Sequence, residues 1–460
     1  MFSKIYTKYK PYYKENLHLA LPIVGSQVGH TLVHMADSII VGHFTDTIQL
    51  AAVSLVNSIF MLILVIGLGI SYGLTPLIAQ ENGRQNYDEC GKLLSNSLMI
   101  NICIGILLYV LVQLGIFYVI DRLAQTPEVV RYAKPYLNLL SVSIIPLLIF
   151  QTFKQFAEGL GFTKQAMFVS IWGNALNIIL GIIFVKGMFG IKSMGVSGVG
   201  LSTLIDRILM ATVMCFYVLR SQHFKKYLTS FKVTFFDKIR AIKIAKIGMP
   251  VAMQYSFEIS AFSGAAVLIG TIGAIEQAAH QIAISLAAMT YMIASGVASA
   301  ATIKTGNNFG KNNFDDLRKS AIASYHVILL FMSCTAVIFV LANNLMPFIY
   351  TEDAAVIPIA AQLLIIAGFF QLFDGTQVVG LGVLRGMGDV NMPTLITFLA
   401  YWVVGIPIGY VLGFHLGLGV NGIWYGLTLG LLTASILLFL RFQNKTKSLN
   451  YKTAVISTEA

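Results

Sequence analysis

The sequence predicts an all-α integral membrane protein in which twelve transmembrane helices form two pseudo-symmetric six-helix bundles. Three observations carry this. Of 460 residues, 57% are hydrophobic and 11% charged, with a mean hydropathy of +0.77, which is more apolar surface than one soluble core can hide. Apolar runs close to the roughly 20 residues that span hydrocarbon as a helix recur from end to end; twelve are counted, among them Leu17 to Val41, Asn101 to Ile120, Ala321 to Leu341 and Gly422 to Leu440. Finally, the chain repeats itself. Period-2 alternation in ~10-residue blocks, the mark of an outer-membrane barrel, is absent.

The segment ahead of Leu17 is basic and precedes an apolar run, superficially like a secretory signal. That run is too long, contains Pro22 and Asp37, and shows no small-residue cleavage pattern, so it reads as a retained first helix. The helices then alternate with polar turns up to helix 6, where Asp206 and Arg207 are adjacent and expected to neutralise each other locally. The largest basic cluster, Arg220 to Lys246, joins helices 6 and 7. Helix 8 carries Met289, Tyr291 and Met292, a composition that reads as ordinary core packing.

The repeat keeps one constant offset: "AQENGRQNYDE" (79 to 89) aligns with "GNNFGKNNFDD" (306 to 316), and "EGLGFTK" (158 to 164) with "RGMGDVN" (385 to 391). Pro22 and Pro250 open the first span of each half, and "GVSGVG" matches "GVNGIW" at nearly the same spacing. Six spans per unit is an even number, so both halves start on one side of the membrane and their pseudo-symmetry axis follows the membrane normal. The organisation expected is an N-terminal lobe over 1–220, a basic cytoplasmic linker over 221–241, a C-terminal lobe over 242–442 and a cytoplasmic tail over 443–460.

A net charge of +11 raises the question of a nucleic-acid partner. With a cytoplasmic N-terminus, however, 25 of the 31 Lys and Arg fall in cytoplasmic segments and only 5 outside, with Arg207 inside helix 6. This is the positive-inside bias of a multi-pass protein of the bacterial inner membrane with both termini cytoplasmic, and no nucleic-acid partner is expected. The four cysteines are scattered without C-x-x-C spacing or nearby histidine pairs. They indicate neither a disulfide framework nor a metal site.

Function is sought in the buried charges. Glu258 lies twelve residues after Lys246 and twelve before Gly270, near the middle of helix 7, and Asp374 is equally isolated in helix 10. An ionisable group there costs about 2.5 to 3.5 kcal/mol on insertion scales and is by default a functional residue. Asp37 sits five residues before Gly42, nearer the interface. Through the repeat, Glu258 corresponds to His30, Asp374 to Leu147 and Asp37 to Ala265, so none of the acids is duplicated. A solitary acid points to a task specific to its lobe. Glu258 and Asp374 are therefore candidate ligands of a monovalent cation or a proton, with Ser256, Ser260 or Thr376 completing the oxygen shell. His30, His34 and Asp37 share one helix face, and Asn174 with Asn177 form a polar pair in helix 5 that reads first as interhelical hydrogen bonding.

These residues resemble the multidrug and toxic compound extrusion (MATE) family, in particular its NorM-like branch. The stretches that carry the resemblance are "MADSIIVGHF", "AAVSLVNSI", "LTPLIAQENG", "EGLGFTK", "NIILGIIFVKGMFG" and "GLGVLRGMGD", in that order over nearly the whole chain. The resemblance implies a V-shaped monomeric transporter, working among membrane lipids, that exports amphipathic cationic drugs in exchange for Na+ or H+ and uses no other cofactor. It implies that Asp37 is the acid of the N-terminal lobe, Asn177 its neighbour, and Glu258 with Asp374 the cation site. A second polar residue one turn after the helix-5 asparagine is replaced here by Gly181, which tilts coupling toward the C-terminal lobe. An aromatic neighbour in helix 10 falls near Phe370.

Two rival functions remain. A flippase of lipid-linked saccharides would line its cavity with several Arg or Lys to hold a pyrophosphate, whereas Arg207 alone lies within a span. A membrane-embedded enzyme would need a catalytic motif, and there is no H-E-x-x-H, G-x-S-x-G in strand context, or P-loop.

Overall fold

The computed structural model of the chain describes residues 2–122 and 126–459 and, within these, the side chains of all but residues 2–6, 34 and 450–459. His34 therefore lies outside the described side chains. Helices succeed one another along the chain: α1 (Phe2–Phe44), α2 (Thr47–Gly83), α3 (Tyr87–Tyr118), α4 (Pro127–Gly159), α5 (Thr163–Lys186), α6 (Val196–Arg220), α7 (Lys238–Ile272), α8 (Ala274–Gly310), α9 (Phe314–Leu341), α10 (Val356–Gly386), α11 (Asn391–His415) and α12 (Gly419–Glu459). Eleven among the described residues are long and apolar enough to cross a membrane, α2 to α12; the 43-residue α1, which holds the run from Leu17 to Val41, is a further long helix that carries more polar residues.

The duplicated loop sequences fold into duplicated turns. After α2, Gln85 adopts φ +60°, and at the corresponding position of the second half Asn312 adopts φ +55°, the left-handed region in which few residues other than glycine and asparagine are common. The next residue in each copy caps the following helix: Asn86 accepts from the Glu89 amide, and Asn313 from the Asp316 amide at 3.1 Å. The turns after α4 and α10 match as well. Gly161 (φ +90°) and Gly388 (φ +72°) close with the same bonds, Gly161 N–H to Glu158 and Gly388 N–H to Arg385. Shared turn geometry, beyond shared composition, is what a duplicated unit predicts.

The chain forms two compact units, Gly25–Ala252 and, discontinuously, Met1–Val24 with Met253–Ala460. Both α1 and α7 therefore divide their length between units. In the discontinuous unit the start of α1 is held to α9: Tyr12 donates to Asp316, Asn16 Nδ2 donates to the Ser320 carbonyl and to Ser324 Oγ, both at 2.9 Å, and Tyr13 pairs with His326. In the other unit the basic connection between α6 and α7 is docked along its length. Tyr227 donates to Asn82, Thr229 and Ser230 to Asp88, the Lys232 amide to Ser95 and the Asp237 amide to Asn96. Arg240 then forks onto the Glu89 carboxylate. The Asp237 carboxyl is held below the ordinary carboxylate range, first by the Arg240 backbone N–H.

Small residues set the closest helix approaches. Against α8, Gly382 leaves so little room that a Cβ would lie 2.4 Å from the Ala298 carbonyl oxygen, and Thr302 donates to the Gly382 carbonyl at 2.8 Å. Between α11 and α12, Gly405, Gly409 and Gly413 face Gly422, Gly426 and Gly430; a Cβ on Gly426 would fall 2.2 Å from the Gly409 nitrogen. Around Pro407, which supplies no N–H, α11 widens into π-helical turns over Leu399–Gly405 and Val411–His415. The first of these carries Tyr401.

Candidate functional site

Glu258 projects from the middle of α7 and is only 5% exposed. It lines a cavity of about 20 Å³ together with Gln254, Tyr255, Tyr291, Ser295, Ser299 and Arg385. That volume admits one water or one unhydrated monovalent ion and excludes an organic cation. Tyr291 on α8 hydrogen-bonds the Glu258 carboxylate, and Asp374 is near enough to repel it. Asp374 does not line this cavity. It is 3% exposed, and its Oδ1 has no hydrogen-bond partner, a condition that a bound cation or proton relieves.

Around the two acids the fold gathers groups from four helices. Tyr401 of α11 reaches both carboxylates electrostatically and exchanges hydrogen bonds with Gln377 of α10, at 2.9 and 3.2 Å. Gln371, one turn before Asp374, is fully buried, and neither its amide nitrogen nor its oxygen has a hydrogen-bond partner. Ser260 and Thr376 donate into their own helices, to Phe257 and Leu372, which leaves their oxygens able to accept or coordinate. Phe370 is buried against Phe262 and Trp424, at centroid distances of 6.0 and 5.3 Å. It belongs to an aromatic cluster beside the acids and does not line the cavity.

The other unit holds a separate polar site. Asp37 is 4% exposed with an unpartnered Oδ1, and Arg207, Asp206 and Tyr136 lie within its electrostatic reach. Asn177 donates to Thr203 at 3.1 Å, while its own Oδ1 and the Asn174 Nδ2 are buried without hydrogen-bond partners. Asn174 lies against Gly29 of α1, and His30 is half-buried beside that glycine. Asp206 and Arg207 offset each other electrostatically, as expected, but without an ion pair: among the described residues no N···O contact within 4.0 Å joins them. Adjacent residues on a helix point about 100° apart, and Arg207 instead donates to Ser143 at 2.7 Å and lies 5.5 Å from the Phe60 ring centroid. Nor is Arg207 the sole cation inside a span. Lys154 of α4 is 3% exposed, donates to Ser26 at 3.0 Å and stands 3.9 Å from Glu158.

Comparison with known proteins decides the family. The MatE family model matches twice, over residues 22–183 and 250–411, so that the two copies begin at Pro22 and Pro250. The chain belongs to the MatE family. This MatE protein is 31% identical over 436 residues to the multidrug resistance protein NorM of Photobacterium profundum, covering 94% of the chain and 95% of that relative. It is also 31% identical over 433 residues to the multidrug resistance protein MdtK of Yersinia enterocolitica, with 93% and 94% covered. Its fold matches the crystal structure of the eukaryotic MATE transporter AtDTX14 with a TM-score of 0.87 at 18% identity, over 97% of this chain and 99% of that one. The MATE structure in complex with MaD3S matches with a TM-score of 0.88 at 20% identity, again over 97% and 99%.

Three MatE residues at the acids escaped the reading from sequence. Gln371 stands three positions before Asp374, on the same helix face, so spacing could have found it. Tyr291 looked like ordinary core material because its hydroxyl partner is 33 positions away in sequence. Tyr401 had no signal at all in a single sequence.

Proposed function

We propose that this transporter exports amphipathic organic cations in exchange for sodium ions or protons, with Glu258 and Asp374 as the coupling-ion ligands. It is a multidrug efflux transporter and not an enzyme, as its family membership and its NorM and MdtK relatives indicate. The observation that carries the coupling assignment is the placement of two buried acids within mutual repulsion, one lining a cavity that fits only a small ion. Two such carboxylates are not comfortably both ionised without a cation or proton between them. Coupling ion and organic cation are then alternative ways to meet that demand, so each disfavours the other. Among the described residues no group of three or more His, Cys, Asp or Glu could hold a metal ion.

The test is efflux of a fluorescent organic cation from proteoliposomes under an imposed sodium or proton gradient. One gradient should drive efflux; transport that neither gradient stimulates would refute exchange. The protein is further proposed to act as a monomer in the inner membrane with both termini cytoplasmic. A cysteine placed at Asn444 should then react with impermeant reagents only from the cytoplasmic side, and labelling from outside would reverse the topology.

Asp37 contributes in a lesser way in this reading, because Arg207 already lies within its reach. Asp37→Asn keeps the shape and removes the charge. It should lower efflux by less than about tenfold, a change within about 1.4 kcal/mol. Full activity at every pH, at normal expression, would make the residue structural.

A further inference from the structure

Arg385 ends α10 and corresponds through the repeat to Glu158, yet it lines the Glu258 cavity. Its guanidinium is parked beside the acid without bonding it. It lies 5.7 Å from the Tyr255 ring centroid, and its Nη2 makes a long 3.4 Å contact to Gln254 Oε1. Its Nε is buried with no hydrogen-bond partner, an under-used donor on a group that carries five. Gln254, Tyr255 and Glu258 stand on one helix, and the step from Gln254 to Glu258 corresponds to about 6 Å of rise. Rotation about the arginine stem covers that distance.

We propose that Arg385 is a tethered cation that swings from its place over Tyr255 to occupy Glu258 whenever the coupling ion leaves. This rests on the reading of Glu258 as a coupling ligand. The cavity, at about 20 Å³, cannot hold an ion and a guanidinium together, so the two compete. The groups that face Glu258 are Asp374 and Arg385 of α10, Tyr291 of α8, Tyr401 of α11 and, on its own helix, Tyr255. Asp374 repels a charged Glu258, and Arg385, which lines the same cavity, is the cation positioned to attract it. A tether of this kind keeps the carboxylate from standing charged and alone, and it makes every incoming ion displace an internal rival.

A hydrophobic carbodiimide tests this, because it reacts with a protonated carboxyl and not with a carboxylate. The full-length protein in nanodiscs would be treated with dicyclohexylcarbodiimide at neutral pH, and the adduct on the Glu258 peptide followed by mass spectrometry, with Glu258→Gln confirming the assignment. Arg385→Gln should raise the labelling rate by about tenfold, as loss of one nearby unit charge implies, while Arg385→Lys should stay near wild type. Tyr255→Leu removes the parking place, frees the guanidinium toward Glu258 and should slow labelling. An unchanged rate in folded Arg385→Gln overturns the proposal. Should that variant fail to fold, Tyr255→Leu decides: slower labelling supports the tether, and a rate equal to or above wild type overturns it. Labelling requires no transport, so its failure and a failure of Glu258→Gln to abolish efflux are separate results.

Discussion

Glu258→Gln and Asp374→Asn should each abolish ion-driven efflux while leaving folded protein in the membrane. Removing one partner from a desolvated charged site costs about 3 kcal/mol or more, roughly a hundredfold in ion affinity. The amide variants preserve shape, so the loss tracks charge. Because Asp374 acts on Glu258 directly, the double variant should be hardly worse than either single one; independent sites would add. Proteoliposome efflux under the driving gradient measures all three. If each single variant keeps ion-stimulated transport, the coupling site lies elsewhere.

Gly426→Ala should destabilise the transporter by about 1 to 3 kcal/mol, and Gly264→Ala should be neutral. The two residues differ in what a new methyl would meet. At Gly426 the Cβ would sit 2.2 Å from the Gly409 nitrogen and 2.6 Å from the Gly405 carbonyl oxygen, both backbone atoms with no flexible end to retreat; at Gly264 it meets nothing within 4 Å. Thermal unfolding in detergent, read by size-exclusion fluorescence, separates them. Equal midpoints for both variants would mean that α11 and α12 can part without penalty.

What the sequence made legible is what local chemistry writes along one stretch of chain. The apolar runs mark the helices, because a bilayer accepts few other conformations. The duplicated polar loops fold into turns that agree residue for residue. Glu258, Asp374 and Asp37 stood out because their neighbours are apolar, and all three are buried. Encounters between distant stretches were not legible. Arg385 was read as a residue beyond the end of a span, but the fold brings it to the cavity of Glu258, 127 positions earlier. Lys154, counted with the loop charges, is buried for the same reason: it reaches Ser26 of α1, and that serine donates in turn to Ser170 of α5. The glycine rows of α11 and α12 repeat every four residues and were visible in principle as a small-xxx-small pattern. Which face each row meets is settled only by packing.

The division of α1 between units fixes an order of events during synthesis. Asn16 is made early, but Ser320, which accepts its hydrogen bond, follows 304 residues later. At ~5 to 20 residues per second, that is a wait of about 15 to 60 seconds, during which Gly25–Ala252 can be completed around the second half of the same helix. Through that interval Asn16 and Tyr12 lack the partners they have in the finished protein. The first half of α1 is therefore among the last segments to find its place, and closure of the second unit is the step that retrieves it.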